Sequence, residues 1–285
     1  MGGFEKLVDT MVNSANANNP INDGDYVGED GLLYCGLCHT RKQIRLEMLG
    51  REITPMVPCK CRSEEIRKEE EAEKQRIKDN EVSQMKRAGF PDYEMANWTF
   101  ENDDGGDPKT ISIAKRYVEK FQQMKADHKG LLLFGTVGTG KTYASACIAN
   151  ALIEKGIPCL VTNFTRLINT MQGLREGRQE FLDDLNDYDL LVIDDLAAER
   201  DTEYMQEFVM QIIDSRSRSG LPIIVTTNLT ATELKNPSDM QKQRIYSRLL
   251  GMCIPIEVKG KDRRKASLVN DYKKYEELLG LEDVT

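Results

Sequence analysis

The stretch Leu131-Leu132-Leu133-Phe134-Gly135-Thr136-Val137-Gly138-Thr139-Gly140-Lys141-Thr142 runs from four apolar residues into a glycine-rich octapeptide that fits G-x-x-x-x-G-K-[ST]. Beyond it Ala144, Ile148, Ala151 and Leu152 recur at helical spacing, so the octapeptide joins a strand to a helix. In that setting it predicts a loop folded around phosphate groups. Gly135, Gly138 and Gly140 let the backbone take positive φ, so that the N–H groups of the loop, Thr136 and Thr139 included, approach a triphosphate that a β-carbon would fend off. Lys141 supplies a point charge for the β- and γ-phosphates, and the Thr142 hydroxyl is placed for Mg²⁺ at the positive end of the helix. A glycine-rich turn that binds nothing would not need these flanks.

About fifty residues on, Leu190-Leu191-Val192-Ile193-Asp194-Asp195 reads as a buried strand ending in two carboxylates. At the carboxyl end of a parallel strand Asp194 would join the Mg²⁺ shell, and Asp195 would orient or deprotonate the attacking water. Another strand, Ile223-Ile224-Val225-Thr226-Thr227, ends at Asn228, which is either a contact for the lytic water and γ-phosphate or a plain turn residue. Cys159-Leu160-Val161-Thr162 and Cys253 to Val258 complete an expected five-stranded parallel sheet. Helices are expected over Thr110–Met124, Thr165–Met171, Arg178–Leu185, Glu203–Ser217, Asp239–Leu250 and Leu268–Leu279. Arg244 and Arg248 lie one turn apart on one face, and Lys235 to Lys265 holds nine basic and three acidic residues. That local charge suits phosphates of ATP or of nucleic acid, or else a solvated face.

The 285 residues carry a net charge of −8, which excludes a chain whose whole surface coats nucleic acid. No run approaches the length of a membrane span, and Met1 to Lys6 lacks a signal-peptide core, so a soluble, cytoplasmic protein is expected. Four of the seven cysteines cluster early, as Cys35-Gly36-Leu37-Cys38 and Cys59-Lys60-Cys61. Reduced free thiols are one reading. A closed structural Zn²⁺ site is the stronger, because two close thiolate pairs complete a tetrahedron and a segment this small needs a staple. His39 adjoins Cys38 as an alternative ligand. After a short helix over Phe4–Val12, residues 13–20 read as a weakly ordered, breaker-rich linker, and Arg62 to about Lys86 reads as an exposed charged helix. The expected division is a zinc-bearing N-terminal domain at 1–61, a linker helix at 62–88 and an ATPase domain at 89–285.

From Gly89 to Lys265 the sequence resembles the AAA+ ATPases of the DnaC/DnaI/IstB group, the bacterial and phage replicative helicase loaders and their transposition relatives. The resemblance rests on Gly89-Phe90-Pro91, Trp98-Thr99-Phe100-Glu101-Asn102, the phosphate loop, Leu190 to Glu199, Asn228, Gln243-Arg244-Ile245-Tyr246-Ser247-Arg248-Leu249 and Gly260-Lys261-Asp262-Arg263-Arg264. It implies sensor 1 at Asn228, an arginine finger at Arg248 with Arg244 second, and sensor 2 at Arg264 with Arg263 second. A finger serving a neighbour implies an ATP-dependent oligomer. The resemblance further implies a replicative DnaB-type helicase held by the zinc domain, single-stranded DNA held by the ATPase core, and hydrolysis driving release. Phe164, Arg166 and Arg175 fall in an initiator-type helical insertion, where Phe164 either stacks on DNA or packs inward. Two alternatives remain: an IstB-like transposition ATPase that engages duplex DNA, which the cysteine cluster disfavours, and a P-loop kinase of a small metabolite, which would need no strand-terminal Asn228.

Overall fold

The computed structural model describes residues 2–48, 50–92, 94–196, 202–263, 275–276 and 278–279. They fall into two compact units, Met1–Asn80 and Glu81–Thr285. The chain runs α1 (Gly2–Asn18), β1 (Tyr26–Val27), β2 (Leu33–Tyr34), β3 (Leu46–Met48), β4 (Arg51–Ile53) and then α2 (Lys60–Gly89). Next come α3 (Pro108–Glu119), α4 (Phe121–Ala126), β5 (Gly130–Phe134), α5 (Lys141–Ile153), β6 (Cys159–Asn163), α6 (Phe164–Gly173) and α7 (Arg178–Asp184). β7 (Leu190–Leu196), α8 (Glu203–Ser219), β8 (Ile223–Thr227), α9 (Ala231–Lys235), α10 (Met240–Met252) and β9 (Cys253–Glu257) follow. Most of the expected helix over Leu268–Leu279 lies outside the described residues.

The first unit is built on two antiparallel pairs, β1 with β2 and β3 with β4. Its helix α1 continues through the asparagine-rich stretch expected to be linker, because those side chains find partners. Asn19 Nδ2 donates to Ala15 O at 3.0 Å, and Asn16 Oδ1 accepts from the Met56 N–H at 3.0 Å, which offsets their weak helix propensity. Between Arg62 and Arg76, α2 carries exposed ion pairs three to seven residues apart, among them Arg62 with Glu65 and Arg67 with Glu71, and its only buried residue is Gly89.

In the second unit five strands lie in the order β6-β7-β8-β5-β9, every neighbouring pair parallel. Alternation along the strands sends Leu132, Leu191, Ile193, Ile223 and Val225 to one face, under α6, α7, α8 and α10. Leu131, Leu133, Leu190, Val192 and Ile224 face α3 and α5 on the other. Both faces are covered, as the near-continuous apolar strands require. The helix expected over Thr110–Met124 breaks at Lys120, whose N–H closes α3 on Arg116 O before α4 begins. α9 was not foreseen, although Thr230 and Glu233 form a capping box around its first turn.

Arg216 of α8 is buried to 1 % exposure and fastens the loops that lead into β7 and β8. It donates to Leu185 O at 3.2 Å, Tyr188 O at 2.8 Å, Asp189 O at 3.1 Å and Pro222 O at 2.9 Å. Burial pulls its guanidinium down to about 10.

Candidate active site and candidate metal centre

The phosphate loop lies at the carboxyl end of β5, beside a cavity of about 550 Å³ lined by Gly138, Gly140, Lys141, Thr142, Asp194, Asp195 and Asn228. Gly135 has φ 136°, and a β-carbon there would stand 2.5 Å from Val258 O, so the turn out of β5 demands glycine. Gly140, at φ 97°, delivers the chain into α5. The Thr139 hydroxyl donates to Thr136 O at 3.0 Å and closes the loop on itself. Lys141 is buried, and its Nζ donates to Gly135 O at 2.9 Å and Thr136 O at 2.7 Å, which holds the ammonium over the loop.

β7 brings both carboxylates to this cavity by an irregularity that its sequence does not announce. Ile193 pairs with Val225 and Leu196 with Thr227, so two residues of β7 occupy the space of one on β8. Asp195 takes φ 61° within this bulge, and its N–H donates to Thr226 Oγ1 at 2.9 Å. Thr142 Oγ1 donates to Asp194 Oδ1 at 2.8 Å, and the Thr226 hydroxyl donates to the same oxygen. Asn228 Nδ2 donates to Asp195 Oδ1 at 3.0 Å. The paired hydroxyl and carboxylate of Thr142 and Asp194 are hard oxygen donors of the kind Mg²⁺ takes beside substrate phosphates. Thr226, Trp98, Asn102, Asp104 and Arg263 also line the cavity. Thr226 was legible in principle, standing two residues before Asn228 on one strand.

The structure does not bring every expected residue here. Arg248 lines a second cavity, of about 740 Å³, with Lys129, Leu221 and Gly251, at the amino ends of β5, β8 and β9. Its Nε lies 2.7 Å from Asp214 Oδ1, and Arg244 lines a depression between α8 and α10 with the same Asp214. Neither arginine meets its own phosphate loop. Arg263 stands in the first cavity, whereas Arg264 lies outside the described residues. Phe164 is fully buried in the sheet-facing cluster, which removes it from any stacking on DNA, while Arg166 and Arg175 are exposed.

In the first unit Cys35, Cys38, Cys59 and Cys61 place their sulfurs within 4.8 Å of one another. Cys59 Sγ and Cys61 Sγ are 3.2 Å apart, and Cys35 Sγ and Cys61 Sγ 3.6 Å, close to the roughly 3.8 Å edge of a tetrahedron with 2.3 Å metal–sulfur bonds. The donor set therefore fits Zn²⁺. Hydrogen bonds with Cys59, Cys35 and Cys38 push the Cys61 thiol up to about 12, while the Thr40 hydroxyl and the backbone draw Cys38 down to about 5. His39 is not part of this sulfur cluster; its Nδ1 lies 3.3 Å from Tyr26 Oη. Sequence reasoning missed the support beneath the knuckle. Asp25 accepts from the Gly36 N–H at 3.1 Å and pairs at 2.6 Å with Lys42, both side chains at most 3 % exposed. The Asn22 N–H and Lys42 hold the Asp25 carboxyl below its usual range.

Residues 59–269 match the model of the family described as IstB-like ATP binding protein. The chain is 31% identical over 172 residues to the "Replicative helicase loader DnaC" of Buchnera aphidicola subsp. Schizaphis graminum, covering 56% of this chain and 68% of that protein. It is 26% identical over 180 residues to the "Replicative helicase loader DnaI" of Bacillus subtilis, 58% of each chain. Among solved structures, a DnaI crystal structure superposes with a TM-score of 0.51 at 26% identity, over 63% of this chain and 98% of that one. A crystal structure of the DnaC helicase loader gives 0.50 at 22% identity, over 59% and 100%, a likeness of fold. The second unit thus has the AAA+ P-loop core that its strand order describes. With the family model spanning most of its length, the chain belongs to the IstB-like ATP binding protein family.

Proposed function

We propose that the protein is an ATP-dependent loader of a replicative DnaB-type helicase, of bacterial or phage origin, that acts in the cytoplasm. The observation that carries the reading is the cavity in which Lys141, Thr142, Asp194, Asp195 and Asn228 converge, in a chain whose relatives are named as helicase loaders. Lys141 and the loop N–H groups hold the triphosphate, and Thr142 with Asp194 holds Mg²⁺, which when bound neutralises phosphate charge. Asn228 fixes the Asp195 carboxylate, which accepts a proton from the attacking water. Arg248, remote from its own loop, completes a neighbour's site, and Arg264 contributes the second cation to its own. The Cys35, Cys38, Cys59 and Cys61 centre holds Zn²⁺ and keeps the 1–61 segment in shape to bind the helicase, with 62–88 as the spacer. The 89–285 domain holds single-stranded DNA, and hydrolysis drives release.

The test is co-purification with the cognate replicative helicase. A complex should form with ATP, and Cys35→Ser should lose it while ATP binding persists. Lys141→Ala should abolish ATP binding by calorimetry. Arg248→Ala should retain binding and lose turnover at saturating protein, with turnover recovered on mixing with Lys141→Ala. Failure of the wild-type chain to bind the helicase, with turnover stimulated by duplex DNA instead of single strands, would replace the loader reading with the transposition one.

A further inference from the structure

One wall of the nucleotide cavity carries charges that the phosphate loop and the carboxylate pair do not explain. Arg263 Nη1 lies 2.7 Å from Asp104 Oδ1 and 3.5 Å from Asp103 Oδ1. Its main-chain N–H donates to Gly138 O at 2.9 Å, which fixes the residue to the phosphate loop. The guanidinium passes between two glycines. A β-carbon on Gly106 would stand 2.8 Å from its Nε, and one on Gly140 would stand 3.0 Å from its Cζ. Gly140 is the N-cap of α5, so this charge rests against the helix terminus where an anion is most favoured. It is already paired with two carboxylates. The Asp103 side chain is 12% exposed and that of Arg263 22%, so solvent screens their interaction less than an ordinary surface pair.

We propose that the Asp103-Asp104-Gly105-Gly106 loop is an internal competitor with the terminal phosphate of ATP for Arg263. The proposal rests on the reading of this cavity as the nucleotide site. Two carboxylates against one guanidinium leave a net negative charge beside the phosphate loop, which repels a polyphosphate until Arg263 changes partner. The planar fork has five donors, so one edge keeps Asp104 while another turns to phosphate. Asp103, at 3.5 Å, is the partner released. The loop thereby lowers ATP affinity, and ADP, with less negative charge, competes less strongly for the contested cation.

The test is the double variant Asp103→Asn/Asp104→Asn in the full chain. Asparagine keeps the oxygens that accept the Gly105 N–H at 3.1 Å and the Gly106 N–H at 2.8 Å, and removes the charges. Calorimetry should show ATP bound about tenfold more tightly than by wild type, within the usual range of intramolecular couplings, with a smaller gain for ADP. In an Arg263→Ala background the same two substitutions should change ATP affinity less than about twofold. No gain in the wild-type background overturns the proposal, and so does an equal gain without Arg263, which would mean bare repulsion between the loop and the nucleotide. Lys141→Ala separates the two layers. If it still binds ATP the cavity reading itself fails, whereas loss of binding with an unaltered double variant defeats only the competitor.

Discussion

Consecutive residues of a strand point to opposite faces, so Asp194 and Asp195 cannot both serve one cavity unless the strand breaks step. The bulge in β7 does this, and it requires Asp195 to adopt φ 61°, a conformation that Asp and Asn reach at least cost after glycine. Asp195→Asn should therefore fold normally and bind ATP within about threefold of wild type by calorimetry, while turnover falls about a hundredfold or more for want of a proton acceptor. Undiminished turnover would remove Asp195 from water activation. The carboxylate pair was legible because an apolar run ended in it. The bulge was not, because no glycine marks it and the periodicity stops there. Phe164 shows the same limit, since an aromatic residue beside a helix start reads equally as a stacking platform or as core until the sheet above it is placed.

The helix after the phosphate loop is buried on almost every side, from Ala144 through Asn150 to Ile153, as its run of small and apolar residues suggests. Its polar members hold the segment that precedes the core. Asn150 Nδ2 donates to Met95 O and Trp98 O, both at 2.9 Å, and Tyr143 Oη donates to Thr99 O at 2.6 Å. Asn150→Ala should leave two carbonyls without their donor and cost about 1–3 kcal/mol in urea denaturation of the ATPase unit. Trp98, the only tryptophan of the chain, packs with its ring centroid 5.7 Å from that of Tyr143 and should report the loosened segment as red-shifted emission. An unchanged midpoint and spectrum would show that the packing of Trp98 alone holds the segment. The motif residues were readable here, but their anchor was not. A lone asparagine within a helical pattern gives no sign of the carbonyls more than fifty residues earlier that it serves.

At the scale of the chain, the five parallel strands were each visible as short apolar runs, and the phosphate loop and Asn228 marked the carboxyl ends of two of them. The small antiparallel pairs of the first unit escaped notice because strands of two or three residues have too little periodicity to detect. That unit has a modest apolar core around Leu32, Leu33 and Met56, so a bound metal should supply much of its folding energy. Metal analysis should find one Zn²⁺ per chain. Its removal by a strong chelator should abolish protease resistance in 1–80 while ATP binding by 81–285 changes less than about twofold. Resistance that survives chelation would make the thiols incidental.

The phosphate-loop cavity and the Arg248 cavity lie at opposite ends of the strands of one parallel sheet, about 17 Å apart by strand length. A finger delivered from the amino end of one sheet to a nucleotide at the carboxyl end of a neighbour's would join unlike surfaces, so each contact would leave one free surface of each kind. Such a contact repeats by a fixed rotation, closing into a ring when the rotation divides the circle and otherwise winding into a helix with two distinguishable ends. In an open assembly of that kind the terminal subunits would be functionally unequal: one would carry a nucleotide that no arginine reaches, and the other an arginine with no nucleotide to reach.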